Sequence, residues 1–132
     1  YKDTFFSFVY ETWAISPNIV FYSEKIYKCI LNFHPFVAWA NPHTIKYMND
    51  NGYKSFNPHI NEDYDNHVSA EDRSILAMKE MVTLCDMTNT QLLDWYANQE
   101  EILTHNYNRF MEEDSFMKSV NQFLEVYDRV VE

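Results

Sequence analysis

The sequence predicts an α/β domain in which a small parallel sheet is followed by a helical C-terminal half, and three observations carry that expectation. Two short apolar runs, FFSFVY (Phe5 to Tyr10) and PFVAWA (Pro35 to Ala40), are rich in aromatic and β-branched residues and have the composition of buried strands. Between them Ile26, Cys29, Ile30 and Phe33 recur at spacings of three and four, the mark of one amphipathic helix. From Ser69 to the end, apolar residues keep helical spacing.

Each element follows from local chemistry. After Tyr10 the chain passes Glu11 and Thr12 into a stretch broken by Pro17 and Asn18, so a loop leads to Ser23, a natural helix N-cap. Pro35 stops the helix near His34 and opens the second strand. Pro42 begins a short helix, HTIKYMNDN (His43 to Asn51), which Gly52 ends as a left-handed cap. YKSF (Tyr53 to Phe56) reads as a third short strand. Connections this short between strand, helix and strand imply right-handed crossovers and parallel pairing, a Rossmann-like unit over residues 1–68. Residues 57–68 read as a polar loop. Three helices are expected over 69–132. The first is capped by Ser69 and buries Ile75, Met78, Val82 and Cys85. The second is capped by Thr90 and buries Leu93, Tyr96, Leu103, Tyr107 and Phe110. The third carries Phe116, Val120, Phe123, Tyr127 and Val130.

Composition narrows the function classes. A chain of 132 residues with 46% hydrophobic and 17% aromatic content reads as one folded domain, and its start almost inside the first strand suggests a fragment of a larger protein. Twenty acidic against ten basic residues leave a net charge of −10, which disfavours nucleic acid and anionic lipid. Only a loose basic set, Lys25, Lys28, Lys46 and Lys54, stands against it. Cys29 and Cys85 sit in helical apolar patterns without metal or redox spacing, so two buried free thiols are expected. No run is long enough to span a membrane and no leader pattern opens the sequence, which points to a cytoplasmic protein. Gly52 is the single glycine, so glycine-rich phosphate loops are excluded. Any phosphate must be held by side chains and a helix N-terminus.

In open parallel sheets ligands sit at the carboxyl ends of the strands, where Glu11, Thr12 and Ser23-Glu24-Lys25 all fall. A helix N-terminus with Lys25 and Lys28 suits a diphosphate, and Glu24, acceptor-only when ionised, suits a ribose diol. The same residues also fit a plain scaffold in which Ser23 caps the helix and Glu24 pairs with Lys28 one turn on. HINEDYDNH (His59 to His67) crowds potential ligands but lacks the spacing of a calcium loop or a zinc helix, so it reads as a solvated loop and no metal is expected. His34 and His43 bracket the second strand at opposite ends, His43 nearer the ligand edge. Trp95, Tyr96 and Tyr107 at helical spacing could line a sugar or base pocket, but such stripes are far more often core, and Tyr96 and Tyr107 read as core. His105 and Arg109 share a helical face that is solvent-exposed by default and, if it meets the sheet edge, offers Arg109 to a diphosphate.

The segments YET (Tyr10 to Thr12) and SEKIYKCILNFHPFVAWA (Ser23 to Ala40) resemble the donor-binding, C-terminal half of fucosyltransferase-like glycosyltransferases of the GT-B fold. The resemblance covers residues 6–40. Glu11, Glu24, Lys25 and the strand start Pro35 to Val37 match the family pattern. Thr12 replaces an asparagine, Ser23 a threonine, and Ala40 a glycine. It implies a nucleoside diphosphate sugar as partner, with guanosine diphosphate-fucose the nearest case, and no further cofactor. Glu11 would then orient the donor sugar or adjacent backbone, Glu24 the ribose and Lys25 the leaving diphosphate, with Lys28 assisting. The family's acceptor half, which supplies the catalytic base, lies outside the matching stretch, so no catalytic residue is assigned and a separate acceptor domain or oligomer partner is expected. The stretch from SEK through GYKSF to NEDYD also resembles uncharacterised short viral or marine-microbial proteins, which imply no activity. The alternative reading is a non-enzymatic acidic protein-interaction module.

Overall fold

The computed structural model describes residues 2–16, 18, 20 and 22–112. It is a mixed α/β structure with the order β1 (Ser7–Tyr10), α1 (Glu24–Leu31), β2 (Phe36–Trp39), α2 (Thr44–Asp50), a 3-10 helix (Asp63–Asn66), α3 (Ala70–Cys85), α4 (Asn89–Ala97) and α5 (Glu100–Glu112). The strands pair in parallel with Ser7 opposite Phe36 and Tyr10 opposite Trp39. The Ser7 amide donates to the Pro35 carbonyl at 2.9 Å and the Glu11 amide to the Trp39 carbonyl at 3.0 Å, so the odd-numbered residues of β1 turn their backbone groups towards β2.

Ser23 caps α1 as the sequence predicts, its hydroxyl accepting from the Lys25 amide, and Ile26, Cys29 and Ile30 form the buried face. Gly52 takes a φ of 91° after α2, where an added Cβ would lie 2.8 Å from Arg109 Nε. The core joins Val9, Ile26, Ile30 and Val37 of the strand-helix-strand unit to Tyr53, Ile60, Tyr64, Ala77 and Leu84. Among the described residues no helix is long and apolar enough to cross a membrane.

Several expectations need correction. Tyr53 to Phe56 form no strand, and the sheet has two strands among the described residues. The backbone groups there are met by side chains instead. The Lys54 amide donates to Asn106 Oδ1 at 2.7 Å, Asn106 Nδ2 donates back to the Lys54 carbonyl at 2.9 Å, and the Phe56 amide donates to Glu62 Oε1 at 3.1 Å. The first C-terminal helix keeps its Ser69 cap but turns the other way. Ile75, Met78, Val82 and Cys85 face outward, and Arg73, Ala77 and Leu84 are buried. The small Ala77 side chain lets α3 lie close to β2, which an apolar stripe of larger residues would not. Cys85 is therefore exposed and only Cys29 is a buried thiol. The helix predicted from Thr90 is two helices. Thr88, in a capping box with Gln91, starts α4, which ends at Ala97 before α5 begins at Glu100. Leu93 is exposed, whereas Leu103 is buried. The expected helix with Phe116, Val120, Phe123, Tyr127 and Val130 lies outside the described residues.

Arg73, which carries no sequence signature, ties the carboxyl end of the sheet together. It is 1% exposed, and its guanidinium donates to the carbonyls of Ala40 at 3.0 Å, His67 at 2.7 Å, Val68 at 2.6 Å, and Ala14. One cation thus clamps the loop after β1, the end of β2 and the entry to α3. Burial pushes its pKa down, and the nearby Asp65 charge opposes that.

Candidate functional site

Glu11 leaves β1 at its carboxyl end and is fully buried, at 0% exposure. Its carboxylate accepts from the Ser23 amide at 2.8 Å and from the Ser23 hydroxyl at 2.8 Å to Oε2, and Lys25 Nζ lies 3.8 Å from Oε2. Lys25 Nζ also donates to the Tyr10 carbonyl at 2.9 Å and to Thr12 Oγ1 at 3.1 Å. Ser23 Oγ in turn accepts the Lys25 amide at 3.3 Å. The end of β1 and the start of α1 are thus locked into one node, in which the Glu11 carboxylate strengthens the Ser23 bonds as a charged acceptor and the Lys25 ammonium strengthens its bonds to Tyr10 and Thr12 as a charged donor.

Four of the predicted site residues, Glu11, Thr12, Ser23 and Lys25, therefore meet. Lys28 stands one turn along α1 and shares with Lys25 a groove of about 200 Å³ beside Ser7 to Tyr10. Glu24 is exposed in the first turn, and no Glu24–Lys28 ion pair forms among the described residues. The other basic residues go elsewhere, Lys46 to Asp50 at 2.6 Å and Lys54 to Glu101 at 2.6 Å. Tyr10, half-exposed, packs against Trp39 with ring centroids 4.5 Å apart and the rings tilted by 53° at the same carboxyl edge.

The remaining candidates have structural tasks. His34 is buried, with Nε2 2.9 Å from the Thr4 carbonyl and Nδ1 2.9 Å from Ser7 Oγ, and burial pushes its pKa down. His43 is exposed and enters α2 with a φ of 65°. His105 Nε2 lies 2.8 Å from the Gly52 carbonyl, and Arg109 Nε donates to the Asn51 carbonyl at 2.8 Å. Their shared face is as expected, but it closes the carboxyl end of α2 rather than facing open solvent or a diphosphate. Tyr96 and Tyr107 are partly buried, Tyr107 stacking on Phe33 at 4.6 Å.

The HINEDYDNH stretch is not a solvated loop. Glu62, Tyr64 and Asp65 point inward while Asp63 and His67 stay outside. Asp65 accepts the Ile45 amide at 2.9 Å and the Lys46 amide at 3.0 Å, and its backbone carbonyl takes the His43 amide at 2.7 Å, which holds the left-handed entry to α2. Burial raises the pKa of Asp65 against those amide bonds. Burial likewise pushes Glu62 up to about 7, opposed by hydrogen bonds from Phe56, Ser55 and Asn57. Both carboxyls line a cavity of about 150 Å³. The sequence signal for this burial was Tyr64, an aromatic inside a polar run. Among the described residues no group of three or more His, Cys, Asp or Glu side chains is arranged to hold a metal ion. No protein-family model, curated protein or solved structure matches this chain, so the reading of its site rests on its own residues.

Proposed function

We propose that this chain is the nucleotide-sugar-binding part of a glycosyltransferase, with a Rossmann-like donor site that moves a sugar from a nucleoside diphosphate to a hydroxyl acceptor. The observation that carries the reading is the Glu11-Ser23-Lys25 node, because it holds a partly exposed ammonium at the mouth of a helix whose Glu24 amide has no partner among the described residues. A diphosphate would take that amide and the remaining Lys25 N–H, and the exposed Glu24 carboxylate would take the ribose hydroxyls. Glu11 acts here as a positioning residue. Lys28 adds charge without contributing to the node. Lys25 neutralises charge developing on the leaving diphosphate, and the catalytic base comes from an acceptor domain or partner. A cytoplasmic setting suits soluble nucleotide donors.

The experiment is calorimetric titration with GDP, UDP and ADP and with their sugar conjugates. Binding to at least one is expected, weakened about tenfold or more in Glu24→Gln, which alters an exposed side chain only, and in Lys25→Gln. No heat with any nucleotide overturns the reading.

One observation favours the alternative, an acidic protein-interaction module. Ile75, Met78 and Val82 are 47%, 45% and 51% exposed on one side of α3 and line an open depression of about 700 Å³. Pull-down by the intact chain that Met78→Glu abolishes, with no nucleotide binding, would select it.

A further inference from the structure

The two outer edges of the sheet are treated differently. On β2 the outward amide of Ala38 donates to the Tyr64 hydroxyl at 3.3 Å, and the outward carbonyl of Ala40 accepts from Arg73 Nε at 3.0 Å, so side chains cover that edge. On β1 the odd-numbered residues face β2, which leaves Phe8 and Tyr10 pointing outward. The Tyr10 carbonyl takes Lys25 Nζ at 2.9 Å. The Phe8 amide, the Phe8 carbonyl and the Tyr10 amide have no partner among the described residues. They open onto the groove of about 200 Å³ whose other wall is Lys25, Lys28 and Cys29 of α1. Tyr10 does not obstruct it, since its ring packs, tilted, against Trp39 on the sheet face.

We infer that the outer edge of β1 is a strand-addition site for an extended acidic segment of a partner protein. Three free backbone groups match a strand of about three residues. Alternate side chains of an added strand fall on one face, so acidic residues at every second position meet Lys25 and Lys28 while the intervening ones cover the opposite face. A second copy of this chain is a poor occupant. Its β1, SFVY, brings no acid, and two such edges would oppose their lysines. The inference shares Lys25 and Lys28 with the donor reading but rests on the free backbone groups of the β1 edge, which that reading does not use.

The test uses the whole chain and a fluorescein-labelled hexapeptide of alternating glutamate and valine. Anisotropy should rise to saturation, and amide exchange should slow at Phe8 and Tyr10. N-methylation at two consecutive central residues of the peptide removes a pairing N–H in either register and should weaken binding about tenfold. An alternating lysine and valine peptide should bind at least as poorly, and Lys28→Glu, at an exposed position, should reverse the preference. Absence of saturable binding, equal binding of the N-methylated peptide, or slowed exchange elsewhere overturns the inference. So does a dimer of the chain that protects Phe8 and Tyr10 and that the peptide fails to dissociate.

Discussion

Two buried carboxylates start two helices in this molecule by different means. Glu11 acts on α1 through Ser23 and has Lys25 Nζ 3.8 Å away. Asp65 acts on α2 directly, accepting the Ile45 and Lys46 amides, and neither it nor its neighbour Glu62 makes an ion pair among the described residues. The first carboxylate is fully buried and has the partly exposed Lys25 ammonium beside it. The second pair is bonded by amides and a hydroxyl, with the charges of His43 and Arg73 near Asp65 but not ion-paired to it, and burial raises both its members. Buried carboxyls bonded mainly to amides, with no ion pair among the described residues, make the fold sensitive to pH.

The comparison breaks first at Glu11. Glu11→Ala strands the Ser23 amide and hydroxyl and leaves Lys25 without its carboxylate, so urea unfolding should show a loss of about 4 kcal/mol. A loss below about 1 kcal/mol would mean that the node is ornamental. The next effect belongs to Glu62. Its folded pKa of about 7 stands above the ordinary 4.5, so its contribution is fully present below pH 4.5 and is lost as pH rises through 7. The difference approaches about 3 kcal/mol across that window, and Asp65 adds to it in the same sense. In Glu62→Gln, unfolding free energy measured from pH 5 to 8 should vary much less than in the parent. An unchanged slope would place the pH sensitivity elsewhere. Smaller again, Asp65→Asn keeps one acceptor at the α2 entry and should cost about 1 kcal/mol at pH 7.

The contrast also explains what the sequence showed. β1, α1 and β2 were legible because each has a local signature, alternating or apolar runs and a Ser23 cap, and Glu11 and Lys25 were legible because strand ends and helix starts adjoin. Gly52 was legible as a left-handed position. The second carboxylate pair was not, because its one local signal, the aromatic Tyr64 inside a polar run, does not say which neighbouring acids turn inward. The partners of Asp65 are backbone amides nineteen and twenty residues upstream. Tyr53 to Phe56 looked like a strand for the same reason, since Asn106, 52 residues from Lys54, completes its hydrogen bonds. On α3 the apolar stripe misled because Arg73, bonded to four carbonyls, holds the opposite face inward. Carbonyl partners leave no trace in residue type.

The smallest effect sharpens the comparison most. Lys25 Nζ has two kinds of acceptor, the Glu11 carboxylate and the neutral pair of Tyr10 carbonyl and Thr12 hydroxyl. Thr12→Val keeps the side-chain shape and removes only the hydroxyl, at an exposed residue where water replaces the lost bond. If the carboxylate holds the ammonium, Thr12→Val should change unfolding free energy by less than about 0.5 kcal/mol. A double-mutant cycle with Glu11→Gln should then find no coupling between positions 11 and 12. Coupling above about 1 kcal/mol would mean that the hydroxyl and the carboxylate position Lys25 as one unit. The contrast between a cation-paired and an amide-bound carboxylate would then give way to a contrast between two hydrogen-bond networks.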